Sequence, residues 1–466
     1  MKRSVYGGRT AALLLAGALA PLSMAQTLGL AMSHRLAAIP ADEGTAPGRP
    51  APVRMVLGLR ETIDHAVRNH PRLRAATADI QLRSAHVKLS HAAFLPKLNV
   101  ALSAVATARA GEAAAAPSSV PTQMVTKREA VAELAWTLFD FGARRAGLAQ
   151  AHEQLSAAQA SHHAVRLQVI QDAARAYIVA AAAHATWLAR QAAESVASES
   201  VNVADARYRA GVATRSETLL ANTRLAEARL ARISADEDYH SALATLAAAI
   251  GAMPGSVTAV KGEEMQAELA SVPQEDLLQS AMRRHPQVAA AEAHLAAAQR
   301  GLSVAQAEGR PALVLQAAFA RSRAPAFEES YSRNGSVGVQ LQIPLMDHAV
   351  RASRMQVAMA QISSSAADVH HAENTVALAL RTSAQSVTRR EEALRASDAL
   401  VQAATDALHM ARGRYKAGLG SIHEVLDAQG RLADAVQNRI IVVMKLRTAQ
   451  IELATSLGQV TELAAP

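Results

Sequence analysis

The sequence predicts a mainly α-helical protein with a small β part, built from two tandem repeats of one unit. Three observations predict it. Arg207-Tyr208-Arg209-Ala210-Gly211 returns as Arg414-Tyr415-Lys416-Ala417-Gly418, and the same offset (414 − 207 = 207) carries Glu217 to Glu424, Leu219 to Leu426 and Gly251 to Gly458. Each copy holds a stretch without proline, 143–208 and 350–415, that reads as roughly 65 residues of helix, about 100 Å at 1.5 Å per residue. Ahead of each stretch the apolar period switches from 3.6 to 2, the signature of paired strands. A repeat on this scale sets the architecture before any motif is read.

The elements follow in order. Residues 1–25 read as a signal peptide: Lys2, Arg3 and Arg9 form a basic start, Ala11 to Ala20 a short apolar run, and Ser23-Met24-Ala25 a small-x-small cleavage site. Residues 26–56 carry Pro40, Pro47, Pro50 and Pro52 and read as a flexible arm. Repeat 1 spans 57–251. It opens with a helix over 57–69 that stops before His70-Pro71, as a residue preceding proline favours, and a second helix ends at Pro96. His70-Pro71 and Pro96 return as His285-Pro286 and Pro311 with an offset of 215 (285 − 70), so the second copy lacks eight residues (215 − 207) before Asp347.

Strands follow over about 97–108 and 126–138, then the long helix 143–208, a turn, and a return helix 214–250. After a linker over 252–273, repeat 2 (274–458) predicts strands at about 312–321 and 335–345, the long helix 350–415 and the return helix 421–457, leaving a tail of 459–466. In the second copy Val337, Val339, Leu341 and Ile343 alternate with Ser336, Gly338, Gln340 and Gln342, and subtracting 207 places those four apolar positions on Ala130, Ala132, Leu134 and Trp136. The apolar face is therefore the same in both copies. Gly211 and Gly418 supply left-handed caps, and Thr214 and Ser421 are placed to start the return helices.

Strands with one apolar and one polar face belong either to a half-buried sheet or to a transmembrane barrel. The first option leaves two short hairpins with little core to rest on among such long helices. The second is met by strands of about 9–11 residues, but single-chain barrels start at eight strands. An open edge in lipid costs several kcal/mol for each unpaired backbone group. A membrane reading therefore requires several chains per barrel.

Composition narrows the function classes. Of 466 residues half are apolar and only 3% aromatic, which suits closely packed helices. The net charge is +8, or about +5 once Lys2, Arg3 and Arg9 are removed (8 − 3), without a compact basic block, so nucleic acid is not an expected partner. There is no cysteine, which excludes an N-terminal lipidated cysteine and any thiolate metal site. No G-x-S-x-G, phosphate loop or HExxH is present; the expectation is a non-enzyme without cofactor or bound metal, driven by a partner. His162-His163 and His370-His371 point about 100° apart on their helices and read as surface or inter-helix residues. Arg389-Arg390-Glu391-Glu392 reads as a solvated face, and Trp136 as a membrane-interface aromatic.

The ordered motifs carry a resemblance. His70-Pro71, Leu95-Pro96, Leu138-Phe139-Asp140-Phe141-Gly142, the doubled Tyr-x-Ala-Gly and above all Gly418-x-x-Ser421-x-x-Glu424-Val425-Leu426-Asp427-Ala428-Gln429 resemble the TolC-type channels of the outer-membrane efflux and secretion family, over roughly 57–463. The resemblance implies a homotrimer whose twelve strands form one barrel in outer-membrane lipid above a long periplasmic helical tunnel. It implies a passive duct for type I protein secretion or small-molecule efflux, opened by a periplasmic adaptor protein and an inner-membrane ABC or proton-driven transporter. The absent lipid-attachment cysteine leans toward secretion.

It also implies residue roles. Glu424 and Asp427, one face of a helix at i and i+3, match an acidic pore constriction; taken alone, two acids near a helix start would simply complement the dipole. Tyr415 and Glu217 match a tip lock, from which the family's assisting arginine is missing because Gly420 stands there. Gly211, Val212, Ala213, Thr214, Gly418, Leu419, Gly420 and Ser421 form the tips where the adaptor would pack. The alternative reading is a soluble periplasmic adaptor-like coiled-coil protein.

Overall fold

Each repeat runs helix, strand hairpin, long helix, return helix. In the computed structural model, which describes residues 55–110, 122–261, 285–324 and 330–458, repeat 1 comprises β1 (Met55–Leu57), α1 (Leu59–Asn69), α2 (Pro71–Ala92), β2 (Lys97–Ala110), β3 (Thr122–Phe139), α3 (Ala143–Arg209) and α4 (Arg215–Ala249). After β4 (Val257–Val260), repeat 2 comprises α5 (Pro286–Ala307), β5 (Ala312–Ala324), β6 (Ser330–Gln342), α6 (His348–Lys416) and α7 (Ile422–Ser456). The signal segment, the arm before residue 55, most of the linker and the tail lie outside the described residues. No described helix is long and apolar enough to cross a membrane.

The two 67- and 69-residue helices, α3 and α6, are tied by the shorter ones. α4 packs along α3, α7 along α6, and α5 lies between α3 and α6. Alanine makes this possible: Ala157, Ala158, Ala173, Ala174, Ala180 and Ala181 are buried on α3, and so small a side chain lets helix axes approach. The main core gathers around Val169, Ile170, Tyr177, Leu246 and Ile250 with Ile63 and Ala66 of α1.

The repeated His-Pro pairs mark joints between helices. The C-terminal turn of α4 meets the start of α2 at Gly251, where a β-carbon would lie 2.8 Å from Pro71 Cδ and 2.9 Å from His70 Cα, and where φ is +74°. Only glycine fits both conditions. His70 and His285 each cap the next helix: Nδ1 accepts from Arg72 N at 3.1 Å in one copy and from Gln287 N at 3.2 Å in the other. His285 also bonds to the Thr455 backbone, near the end of α7. Two shorter helices thus meet end to end in each repeat.

The sheet order is β2-β3-β5-β6, all antiparallel. Leu98, Val100 and Leu102 stand opposite Leu134, Ala132 and Ala130. Trp136, Leu134 and Ala132 stand opposite Leu315, Ala317 and Phe319, and these three oppose Val339, Val337 and Gly335. Because side chains alternate, the apolar positions of all four strands fall on one face. The other face carries Asn99 opposite Glu133, Glu133 opposite Ala318 and Ala318 opposite Ser336. Among the described residues nothing covers the apolar face: Leu102 is 77% exposed and Val337 80%. Among them, β2 and β6 also stand as the two edges of the sheet.

At the helix end of the sheet the Leu138–Gly142 motif makes a corner. Phe141 (φ +50°) and Gly142 (φ +96°) turn the chain, and the Asp140 carboxylate accepts from Gly142 N, Arg144 N and Arg144 Nε, the last at 2.8 Å. Trp136 Nε1 donates to Phe94 O at 2.9 Å.

Some sequence expectations are corrected. The arm to 56 and the linker over 252–273 each contain a strand: β1 and β4 pair in parallel, with Val257 and Val260 buried in the core. Three and four residues are too few for alternation to register. The helix expected over 57–69 starts at Leu59, since Leu57 belongs to β1. β6 stops at Gln342 rather than near 345, because Pro344 has no N–H for the ladder.

Candidate functional site

The two hairpin tips have one backbone and two different sets of side-chain contacts. α3 ends in Gly211 (φ +73°) and α6 in Gly418 (φ +75°). Val212 N donates to Arg207 O at 3.1 Å, and Leu419 N to Arg414 O at 2.9 Å, the Schellman closure that a left-handed residue permits. Ser421 Oγ accepts from Glu424 N at 3.3 Å and caps α7; Thr214 makes no such side-chain cap on α4.

The tyrosines part company. Tyr208 is 44% exposed, whereas Tyr415 is 4% exposed, packed with Leu408, Ile422, Val425 and Leu426 and against Val203 of α3. Tyr415 Oη donates to Glu217 Oε2 at 3.0 Å. Arg207 Nη1 donates to Tyr415 O at 2.9 Å, with its guanidinium carbon 4.5 Å above the Tyr415 ring. Burial first, then the hydrogen bond and charge of Glu217, push the Tyr415 phenol up to about 12. The phenol is therefore neutral and a donor throughout the physiological range. One side chain of repeat 2 is held from both ends of the repeat 1 hairpin turn.

The position of the family's assisting arginine is held by Gly420, as read from the sequence, and the contact is built with a different arginine. At Gly420 a β-carbon would lie 3.1 Å from Arg414 Cβ and 3.2 Å from Glu424 Oε2, so there is little room for a side chain. The cation comes instead from Arg207 on α3. Sequence reasoning missed it because Arg207 and Arg414 are identical residues at equivalent positions; only the packing distinguishes them.

Glu424 and Asp427 lie in the first turns of α7, exposed, while Val425, Leu426 and Ala428 between and after them are buried. Each acid has a cation at hand. Glu424 Oε2 is 3.7 Å from Arg414 Nε, and Asp427 Oδ2 is 2.9 Å from Arg431 Nε. Two further contacts were not signalled by any motif. Gln429 Nε2 donates to Ser200 Oγ at 2.7 Å, buried between α7 and α3. Arg224 lies over Gly430, where a β-carbon would come 2.3 Å from Nη2. Val212 and Leu419 project from the tips, 62% and 75% exposed.

Among the described residues the apolar sheet face is uncovered and its two edges are open, on helices of about 100 Å; this geometry fits a channel protein of the outer membrane whose helices form a periplasmic tunnel. The comparisons agree. The family model described as outer membrane efflux protein matches residues 62–252 and 277–459, and the chain belongs to that family. It is similar to Protein CyaE of Bordetella pertussis, 32% identical over 449 residues and 92% of each chain. It is also similar to the pyoverdine export outer membrane protein OpmQ of Pseudomonas aeruginosa, 25% identical over 86% of this chain and 85% of that one. Among solved structures, the outer membrane protein VceC of Vibrio cholerae has the same fold, with a TM-score of 0.69 at 21% identity over 86% of this chain and 96% of that chain. Membership makes the protein an outer-membrane component of an export system and favours the channel over the adaptor-like coiled-coil alternative.

Proposed function

We propose that three copies of this chain form one passive export duct, with β6 of each copy pairing to β2 of the next in a twelve-stranded barrel. The observation that carries the proposal is the coincidence of four apolar strand faces on one side of a sheet whose two edges are both open. Lipid covers such a face, and closure removes edges that would otherwise each leave unpaired backbone groups in hydrocarbon. Tyr415, held by Glu217 and Arg207, acts as the lock of the closed periplasmic end. Glu424 and Asp427 line the constriction beside it, and the two tips, residues 211–214 and 418–421, receive a periplasmic adaptor. An inner-membrane ABC or proton-driven transporter supplies the energy.

The cargo class favoured is protein, by type I secretion, because no cysteine is available for the lipid anchor of a drug- or metal-efflux channel; small-molecule efflux is the second reading, supported by the similarity to OpmQ. The test of the duct is fractionation with gel analysis. A membrane-bound species that runs at three chain masses unheated and at one after boiling is expected. Recovery of the protein in the soluble periplasm without detergent would overturn the reading.

A further inference from the structure

The groove where α1, α2 and α3 meet carries an excess of positive charge. Arg68 at the end of α1, Arg74, Thr77 and Gln81 on α2, and His162 and Arg166 on α3 line a cleft of about 320 Å³. The three arginines are exposed. Among the described residues, none of their guanidinium groups has an ion-pair or hydrogen-bond partner. The acids around them are taken by other cations. Glu61 pairs with Lys261, Asp79 with Arg83 and Asp172 with Arg72. Asp64, one turn ahead of Arg68, makes no ion pair with it. Burial first, then the charges of His163 and Arg166, hold the His162 imidazole below its ordinary value, the direction that a positive groove imposes.

The fold does not require this charge, because the second repeat builds the same helices without it. With the offset of 215, Arg74 and Thr77 correspond to Ala289 and Glu292 on α5. With the offset of 207, His162 and Arg166 correspond to Val369 and Glu373 on α6. Repeat 2 thus carries acids at two places where repeat 1 has an arginine and a threonine. Three arginines in one cleft repel one another, and a bound anion offsets that repulsion.

The position of the groove identifies what it meets. α1 packs on α3 as a second layer over the helix wall, and a second layer inside a tunnel would fill its bore. The groove therefore opens on the outer side. From Arg74 to Ala92, the end of α2 next to the sheet, is 18 residue steps (92 − 74), about 27 Å at 1.5 Å per residue. That depth lies in the periplasm, where the peptide stems of the cell wall carry free carboxylates. Guanidinium forks match carboxylates in charge and in bidentate geometry, and a cleft of this volume is large enough for a small ligand.

We infer that Arg68, Arg74 and Arg166 bind the carboxylates of an acidic cell-wall peptide on the outer side of the tunnel, once in each copy of the chain. The site is separate from the tips, the sheet and the duct interior, and it ties the tunnel to the wall without entering the export path.

Two measurements test this. In calorimetric titration of the detergent-purified oligomer with a soluble disaccharide-tetrapeptide wall fragment, amidating the carboxylates of the fragment should weaken binding by about tenfold or more. The R74A/R166E variant, which gives repeat 1 the residues that repeat 2 carries at these places, should lose about as much. R74K/R166K should fall between, since lysine keeps charge without the planar fork. Equal binding of free and amidated fragment by the wild type would overturn the proposal, and this comparison does not depend on any variant folding. Unchanged binding by R74A/R166E would also overturn it. In whole cells, a photocrosslinking benzoylphenylalanine in place of Gln81, which lines the cleft, should yield a product that muramidase digestion trims. A product that resists muramidase and yields to protease would show an acidic protein in the groove instead of the wall, and absence of any product would show a groove closed to both; either result contradicts the inference.

Discussion

The two hairpin tips share a turn and differ in what the turn holds. In repeat 1 the tip tyrosine, Tyr208, faces solvent; in repeat 2 its counterpart Tyr415 is buried and bonded to Glu217. The arginines differ likewise. Arg207 reaches across to the carbonyl and ring of Tyr415, while Arg414 stays within its own tip beside Leu419 O and Glu424. Duplication supplied two equal tips; packing made one the holder and the other the held. By contrast, the His-Pro caps kept their symmetry at His70 and His285, although the glycines beside them differ in packing. Symmetry persists where the repeat builds the tunnel and breaks where a gate is proposed.

The largest effect should come from breaking the held tip. A hydrogen bond to a charged partner contributes about 1.5–3 kcal/mol, so Glu217→Gln or Arg207→Ala should shift a closed-to-open equilibrium by roughly tenfold or more. Planar-bilayer recordings should show a larger or more frequently open conductance. Tyr208→Phe, the same position in the other tip, should leave conductance unchanged.

Next in size is a test of the two joints, whose caps match but whose glycines pack differently. Gly251→Ala meets Pro71 and His70 at a positive φ, whereas Gly458→Ala meets only the positive φ, +72°, with open space around it. A left-handed alanine costs about 1–2 kcal/mol, and the clash at Gly251 adds to that. Thermal unfolding of the oligomer should rank wild type above Gly458→Ala and Gly458→Ala above Gly251→Ala. Equal losses would show that Gly251 is not a closely packed joint.

Acid should loosen both joints together. Burial holds the His70 and His285 imidazoles below their ordinary value, and the Arg72 charge adds to this at His70. A depressed folded value means the stabilisation is complete above the unfolded value, about 6.5, and is lost as pH falls below it toward the folded values. Protonation also removes the Nδ1 acceptor that caps each helix. Hydrogen exchange, corrected for intrinsic rate, should speed up at residues 72–75 and 287–290 between pH 7 and pH 5. His70→Asn with His285→Asn, which caps without titrating, should abolish that change.

The smallest effect concerns the constriction. Glu424 and Asp427 each lie near an arginine, so the proposed acidic ring is partly neutralised. Glu424→Ala with Asp427→Ala should weaken block by trivalent cations only a few fold. Arg414→Ala with Arg431→Ala should strengthen it. A large loss of block in the acid variant would show that the arginines do not screen the ring.

Much of this was legible in the sequence because it is periodic. The long helices follow from alanine-rich stretches without proline, and the strands from alternation that repeats in register across the copies. The joints were visible as His-Pro pairs and as Gly251 and Gly458, although their meeting in space was not. β1 and β4 escaped notice because strands of three and four residues carry no period. The contact of Tyr415 with Glu217 was expected from the resemblance, but Arg207 was not. Its role depends on which of two identical arginines faces the other hairpin, and that is a property of packing between residues about 200 positions apart. Gly430 under Arg224 and Gln429 against Ser200 were hidden for the same reason.

The most direct test of the account is a paired single-channel measurement of Tyr415→Phe and Tyr208→Phe in planar bilayers. Removing the Tyr415 hydroxyl should raise open-channel conductance or open probability several fold, while removing the Tyr208 hydroxyl should leave both at the wild-type level. Equal behaviour of the two variants, whether both open or both unchanged, would contradict the claim that the gate lies where the repeat loses its symmetry.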